Sequence, residues 1–293
     1  MADVAVVTDS TCALPAALVE SLDITVVPLY YEVGGGRLRE SEFDGDFRRF
    51  YAELDASKSV AKTSPPTVED FVAVYDRLLQ QHAAVVAVLI SSGLSETCSM
   101  ARQAAARLES AGRDGERVVV IDSAGAAGQL GLQALAGARA AAAGEDATAV
   151  TAATRRARQE VRQWVVLDTL EYLRRGGRIG GAAAWLGSAL DLKPILMIES
   201  QFRAVERVRS RRRAVERLVE LMRQRRGVGV DRWFVQHADA REDANGLAER
   251  LAEIFSSEPE FISELSPVLA THTGPGTLVA GGLPGAALEG THG

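Results

Sequence analysis

VVAVLISSGLSETCSMARQAAARL, residues 85–108, decides the fold. It opens with an unbroken β-rich apolar run, turns at a glycine, and continues as a stretch that can form a helix. A run without polar alternation suits a strand buried on both faces, as in a parallel sheet. Two further segments begin the same way and lead into polar turns: VAVVTDS (4–10) and RVVVIDSA (117–124). ITVVPLYYEV (24–33) reads as a fourth strand. In SPPTVEDFVAVYDRLLQQ (64–81), Val68, Phe71, Val72, Tyr75, Leu78 and Leu79 fall at helical spacing. Thr67 with Asp70 resembles a capping box at the start of that helix. Residues 1–158 therefore read as an N-terminal α/β domain around a parallel sheet.

Residues 159–283 read differently. KPILMIES (193–200) and AVERVRS (204–210) are strands joined by a short turn, and DRWFVQHA (231–238) is another. RRRAVERLVELMRQ (211–224) and ANGLAERLAEIF (244–255) have the period of amphipathic helices. EFISELSPVLATHT (260–273) is expected to end the pattern with strands. Neighbouring strands joined by short turns point to a mixed sheet in a second α/β domain. Residues 284–293, rich in glycine, are expected to form a flexible tail.

At 293 residues, two domains with full cores are expected. The net charge of −6 argues against a nucleic-acid partner, because phosphate binding rests on a basic surface. Two cysteines without a Cys-x-x-Cys pair make a disulfide framework or a zinc site unexpected. No signal peptide and no run of about 18 apolar residues is present, so a cytoplasmic chain is expected.

In SSGLSETC, Ser95 falls near a helix N-terminus at the carboxyl end of a strand. Free amides and the helix dipole favour an anion there, although a serine in this place more often only caps the helix. Asp9, Ser10, Asp122 and Ser123 should reach the same edge. Thr63 or Ser64 in KTSPPT (62–67) offers a hydroxyl before a helix, and His272 stands before a Gly-Pro-Gly turn in THTGPGT (271–277). RRGGRIGG (174–181) concentrates arginine and glycine. Neither a dinucleotide fingerprint nor a P-loop is present, and no spacing reads as a metal box.

The order VTDSTCALP, KTSPPT, ISSGLSETC, VIDS, LEYLRRGGRIGG, KPIL and THTGPGT resembles the DegV family, the fatty-acid-binding subunits of bacterial fatty acid kinase. The resemblance runs from Val4 to about Gly282. It implies two α/β domains with a long-chain fatty acid between them and no cofactor. Thr63 and Ser95 would hold the carboxylate, with His272 close by. An ATP-dependent kinase partner would convert that carboxylate to an acyl phosphate for phospholipid synthesis, so the chain itself would not be an enzyme. Arg178 and Arg207 lie in segments that the resemblance places toward the carboxylate end, and are expected to dock the kinase. Transient membrane contact is left open. Glu96 and Cys98 depart from the family's usual glycine and aromatic after SSGLS.

Two other readings compete. A serine esterase of the α/β-hydrolase type would use Ser95 with Asp168 and His237 or His272, although Thr97 replaces the second glycine of the nucleophile elbow. A regulatory scaffold would bind no lipid.

Overall fold

The structure is a computed structural model that describes residues 3–33, 36–56, 62–185 and 192–289. Four strands, β1 (Val4–Asp9), β2 (Ile24–Val27), β6 (Ala84–Leu89) and β7 (Val118–Asp122), pair in the order β2-β1-β6-β7. All are parallel, and β1 and β6 are buried on both faces, as their uninterrupted apolar runs require. A mixed sheet contains β8 (Arg162–Val166), β9 (Lys193–Glu199), β10 (Gln201–Val208), β11 (Arg232–Ala238), β12 (Phe261–Glu264) and β13 (Thr277–Leu283). Its order is β10-β9-β8-β13-β11-β12, with β11–β12 parallel and the other neighbours antiparallel. A small antiparallel sheet, β4-β3-β5, is built from β3 (Tyr30–Val33), β4 (Gly36–Arg39) and β5 (Lys62–Ser64).

The helices α1 (Ala16–Ser21), α2 (Phe47–Ala56), α3 (Val68–Leu79), α4 (Thr97–Ser110), α5 (Gly128–Ala142) and α6 (Ala147–Glu160) precede the mixed sheet. Within or after it come α7 (Glu171–Arg175), α8 (Arg211–Gly227), α9 (Arg241–Phe255), α10 (Pro267–Thr273) and α11 (Gly285–Leu288). The capping box at α3 forms as the sequence predicts, with Asp70 N donating to Thr67 Oγ1 and Thr67 N to Asp70 Oδ2. Helices α3 and α4 cover one face of the parallel sheet, and α8 and α9 cover the outer face of the mixed sheet.

Between the sheets lies α5, buried along nearly its whole length. Its first amides are taken by side chains of the mixed sheet. Gly128 N donates to Gln236 Oε1 at 2.6 Å, and Gln129 N to Gln163 Oε1 at 3.0 Å. Gln163 Nε2 returns a bond to Ala126 O at 2.9 Å. Neutral amides satisfy these orphan donors without burying a charge. The two sheets thus share one hydrophobic cluster, from Val6 and Val86 to Val165 and Val279.

Three expectations change. ITVVPLYYEV is two strands in two sheets rather than one. Pro28 has no N–H for a ladder, and Leu29 N leaves it to donate to Ser10 Oγ. SPVLATHT is the helix α10, not a strand: Pro267 occupies its first turn, where a missing N–H costs nothing. Residues 284–289 do not fray. Ala287 and Leu288 are buried, Gly285 N donates to Asp231 Oδ1, and Glu289 pairs with Arg232. Residues 290–293, with His292, lie outside the described residues.

Candidate functional site

A cavity of about 430 Å³ opens between the carboxyl ends of the parallel strands and the inner face of the mixed sheet. That edge of an open α/β sheet is where ligands usually lie, and the volume falls in the range of roughly 300–1,000 Å³ that small-molecule sites occupy. Its inner wall is apolar: Ala126, Ala127, Val165, Ile198, Phe202, Leu265 and Val279 line it, all buried. Its other end is polar and includes Thr63, Ser92, Ser95, Glu96, Arg178 and His272. Ser92 and Glu96 are exposed, so the polar end faces solvent.

Thr63 Oγ1, on β5, lies 2.7 Å from His272 Nε2, on α10. Burial, and then the Arg178 guanidinium, lower His272 to about 4, so the ring is neutral at pH 7. Arg178 Nε donates to Leu94 O at 3.3 Å, beside Ser95, and its Nη1 donates to Gly176 O at 2.7 Å. No carboxylate of the described residues forms an ion pair with Arg178. Thr63, Ser95 and His272 thus line one cavity from three distant segments, with Thr63 and His272 in direct contact. Arg178, expected on a docking surface, lines the same cavity.

Glycine explains two of the motifs. A Cβ on Gly176 would lie 2.1 Å from His272 Nδ1, and one on Gly274 would lie 2.2 Å from the Tyr172 ring. The segment LEYLRRGGR thus packs directly on THTGPG, and bare backbone at both contacts lets the arginine loop close over the histidine.

Other candidates have structural work. Asp9, pushed up to about 6 by burial, accepts from Ile90 N at 2.7 Å and from Thr11 N at 3.0 Å, tying β1 to the turn after β6. Asp122 accepts from the Ser92 hydroxyl and from Ala124 N. Ser10 Oγ takes the Leu29 amide, and Ser123 Oγ donates to Gly125 O. Ser95 Oγ contacts Thr97 Oγ1 at 2.8 Å and takes Thr97 N at 3.3 Å, so it serves the start of α4 while lining the cavity. Cys98 points away into the core, where burial pushes its thiol to about 12. Arg207, on β10, lies outside the cavity lining with its guanidinium 5.0 Å from the Trp185 ring centroid.

The esterase constellation is not assembled. Ser95 Oγ is engaged by Thr97, and His272 Nε2 by Thr63. Asp168 pairs with Lys193 at 3.1 Å and Arg211 at 3.6 Å. His237 is buried in the mixed sheet beside Glu264. Ser95 also lacks the positive φ of a strained turn. Among the described residues no group of His, Cys, Asp and Glu could hold a metal, and no helix is long and apolar enough to cross a membrane.

Comparison with known proteins agrees with this architecture. The model of the DegV family, described as an uncharacterised protein family, matches residues 3–281. A DegV domain-containing protein of Mycobacterium tuberculosis is 38% identical over 279 residues, covering 94% of this chain and 95% of its own length. A solved DegV family protein of Thermus thermophilus, described as binding fatty acid, superposes with a TM-score of 0.85 at 31% identity, covering 96% of this chain and 99% of its own. DegV of Bacillus subtilis, described as a fatty acid binding protein, gives 0.85 at 30% identity and covers 97% of this chain and 100% of its own.

Proposed function

Because the chain belongs to the DegV family, we propose that it binds one long-chain fatty acid in this cavity, carboxylate outward. The supporting observation is the cavity's polarity: an apolar inner wall and one solvent-facing end with Thr63, Ser95, Arg178 and His272. Each buried methylene of an acyl chain contributes about 0.8 kcal/mol, so the chain supplies most of the affinity. A carboxylate leaving water needs donors, and hydroxyls with one guanidinium provide them.

The tautomer of His272 decides what Thr63 can do. A neutral ring carries one N–H. With the proton on Nε2, His272 donates to Thr63 Oγ1 and leaves the threonine proton free for a carboxylate. With the proton on Nδ1, Thr63 must donate to the ring and has nothing for the ligand. A bound fatty acid selects the first state. Arg178 then stands as the counter-ion, and Ser95 as the second hydroxyl.

The outward carboxylate suits presentation to an ATP-dependent kinase subunit. The terminal phosphoryl group of ATP would pass to a carboxylate oxygen, giving acyl phosphate and ADP. Ser92 and Glu96 mark the exposed rim that such a partner would meet.

The test is mass spectrometry of intact protein and extracted lipid, followed by titration of delipidated protein with acids of several chain types. One acid per chain is expected. Absence of saturable binding to every chain type would overturn the proposal.

A further inference from the structure

Resting on the fatty-acid reading, we propose that Glu40 is a positioning residue for the carboxylate end: it holds α10 so that His272 meets Thr63. Glu40 follows β4, in the small sheet that also carries Thr63 on β5. Its Oε1 accepts from Val268 N at 2.6 Å, although the two residues are 228 positions apart in sequence. Val268 and His272 are one helical turn apart on α10, and both line the cavity. The small sheet and its trailing turn therefore grip α10 twice: Glu40 at its first turn, and Thr63 at His272.

No side chain of α10's own N-cap competes for this role. Ser266 makes no capping hydrogen bond, and Pro267 has no N–H, so Val268 N is the first amide of the helix that needs an acceptor. Val268 is 3% exposed, so water is a poor substitute. Without Glu40 the amide is left unsatisfied, and the helix must move or fray to find a partner. The ring of His272, already pressed against Gly176, moves with it.

Around Glu40 stand Ser10 from the end of β1, Ser266 before α10, and the Asp9 carboxylate. Burial pushes Glu40 up to about 7, so near neutrality the group is partly protonated. A glutamine, which keeps the acceptor oxygen, is therefore a faithful replacement, and an alanine is not.

The experiment uses the full chain with Glu40→Gln, Glu40→Ala and Glu40→Asp. The His272 ring is followed by NMR in ligand-free protein, assigned against His272→Gln, and palmitate affinity is measured by titration. Alanine is expected to raise the His272 titration midpoint toward the ordinary histidine range, and to weaken palmitate about tenfold, the scale of one lost buried hydrogen bond. Glutamine is expected to restore both within about twofold. Aspartate, one methylene short, should resemble alanine, and it serves where alanine fails to fold. Wild-type behaviour of the alanine or aspartate protein would overturn the proposal, and so would a glutamine protein that behaves like alanine. If wild-type protein binds no acid of any chain type, the fatty-acid reading fails, while the His272 titration still decides the role of Glu40.

Discussion

His272 concentrates the chemistry of the site in one ring, held between Thr63 and the backbone at Gly176. Its folded value of about 4 lies below the ordinary histidine value. The unfolded chain therefore binds more protons than the folded chain between about pH 4 and 6.5. The stability this ring contributes is fully present above about pH 6.5 and is lost as pH falls through 4. NMR titration of ligand-free protein should place the His272 midpoint near 4; a midpoint of 6 or above would contradict the packing described. Thr63→Val removes the hydroxyl at nearly constant volume and should weaken palmitate about 10–100-fold, as expected for a lost bond to a charged group. An unchanged dissociation constant would remove Thr63 from the site. The resemblance marked Thr63, Ser95 and His272 from the sequence, since each stands in a short motif of fixed order. The resemblance put the Arg178 segment toward the carboxylate end, but that Arg178 itself lines the cavity, and the grip of Glu40, were not legible. Both depend on contacts between segments far apart in the chain, and no local pattern records a partner 84 or 228 positions away.

Elements show the same limit. Long runs with one period were readable: β1, β6, β7, α3, α8 and α9 all occur where period and apolarity put them. Short segments were not. SPVLATHT is rich in β-branched residues, but Pro267 and the Glu40 acceptor start a helix there instead. Within ITVVPLYYEV a tertiary contact, Leu29 N to Ser10 Oγ, marks the break between two sheets. After α10, Gly274 has φ 75° and ψ 169°, a region that residues with a side chain avoid, and its Cα faces the Tyr172 ring. Gly274→Ala should therefore destabilise the protein by about 1–3 kcal/mol or more and weaken lipid binding, because the turn carries His272. Chemical denaturation beside palmitate titration checks both effects; a neutral substitution would show that the LEYLRRGGR–THTGPG contact is dispensable.

At the scale of the whole molecule, the parallel and mixed sheets are joined through α5 and its two glutamine caps. We propose domains at 1–158 and 159–283, but the shared core makes them unfold together. Far-UV circular dichroism should coincide with the fluorescence of Trp164 and Trp233, both in the mixed sheet. Two resolved transitions would instead mean independent domains. Arg207 is proposed to dock the kinase: Arg207→Glu should lower acyl-phosphate formation with a cognate kinase and leave palmitate affinity unchanged. Loss of both together would place Arg207 in the lipid site.

The carboxylate end is the centre of the account, and palmitate labelled with ¹³C at its carboxyl carbon reports on it directly. Delipidated protein should give one saturable bound resonance at one acid per chain. That carboxyl should stay ionised below the ordinary range of about 4–5, held by Arg178, and its resonance should move in Thr63→Val and Ser95→Ala. A bound resonance that titrates like free acid and ignores both substitutions, or no bound resonance at all, would contradict the site.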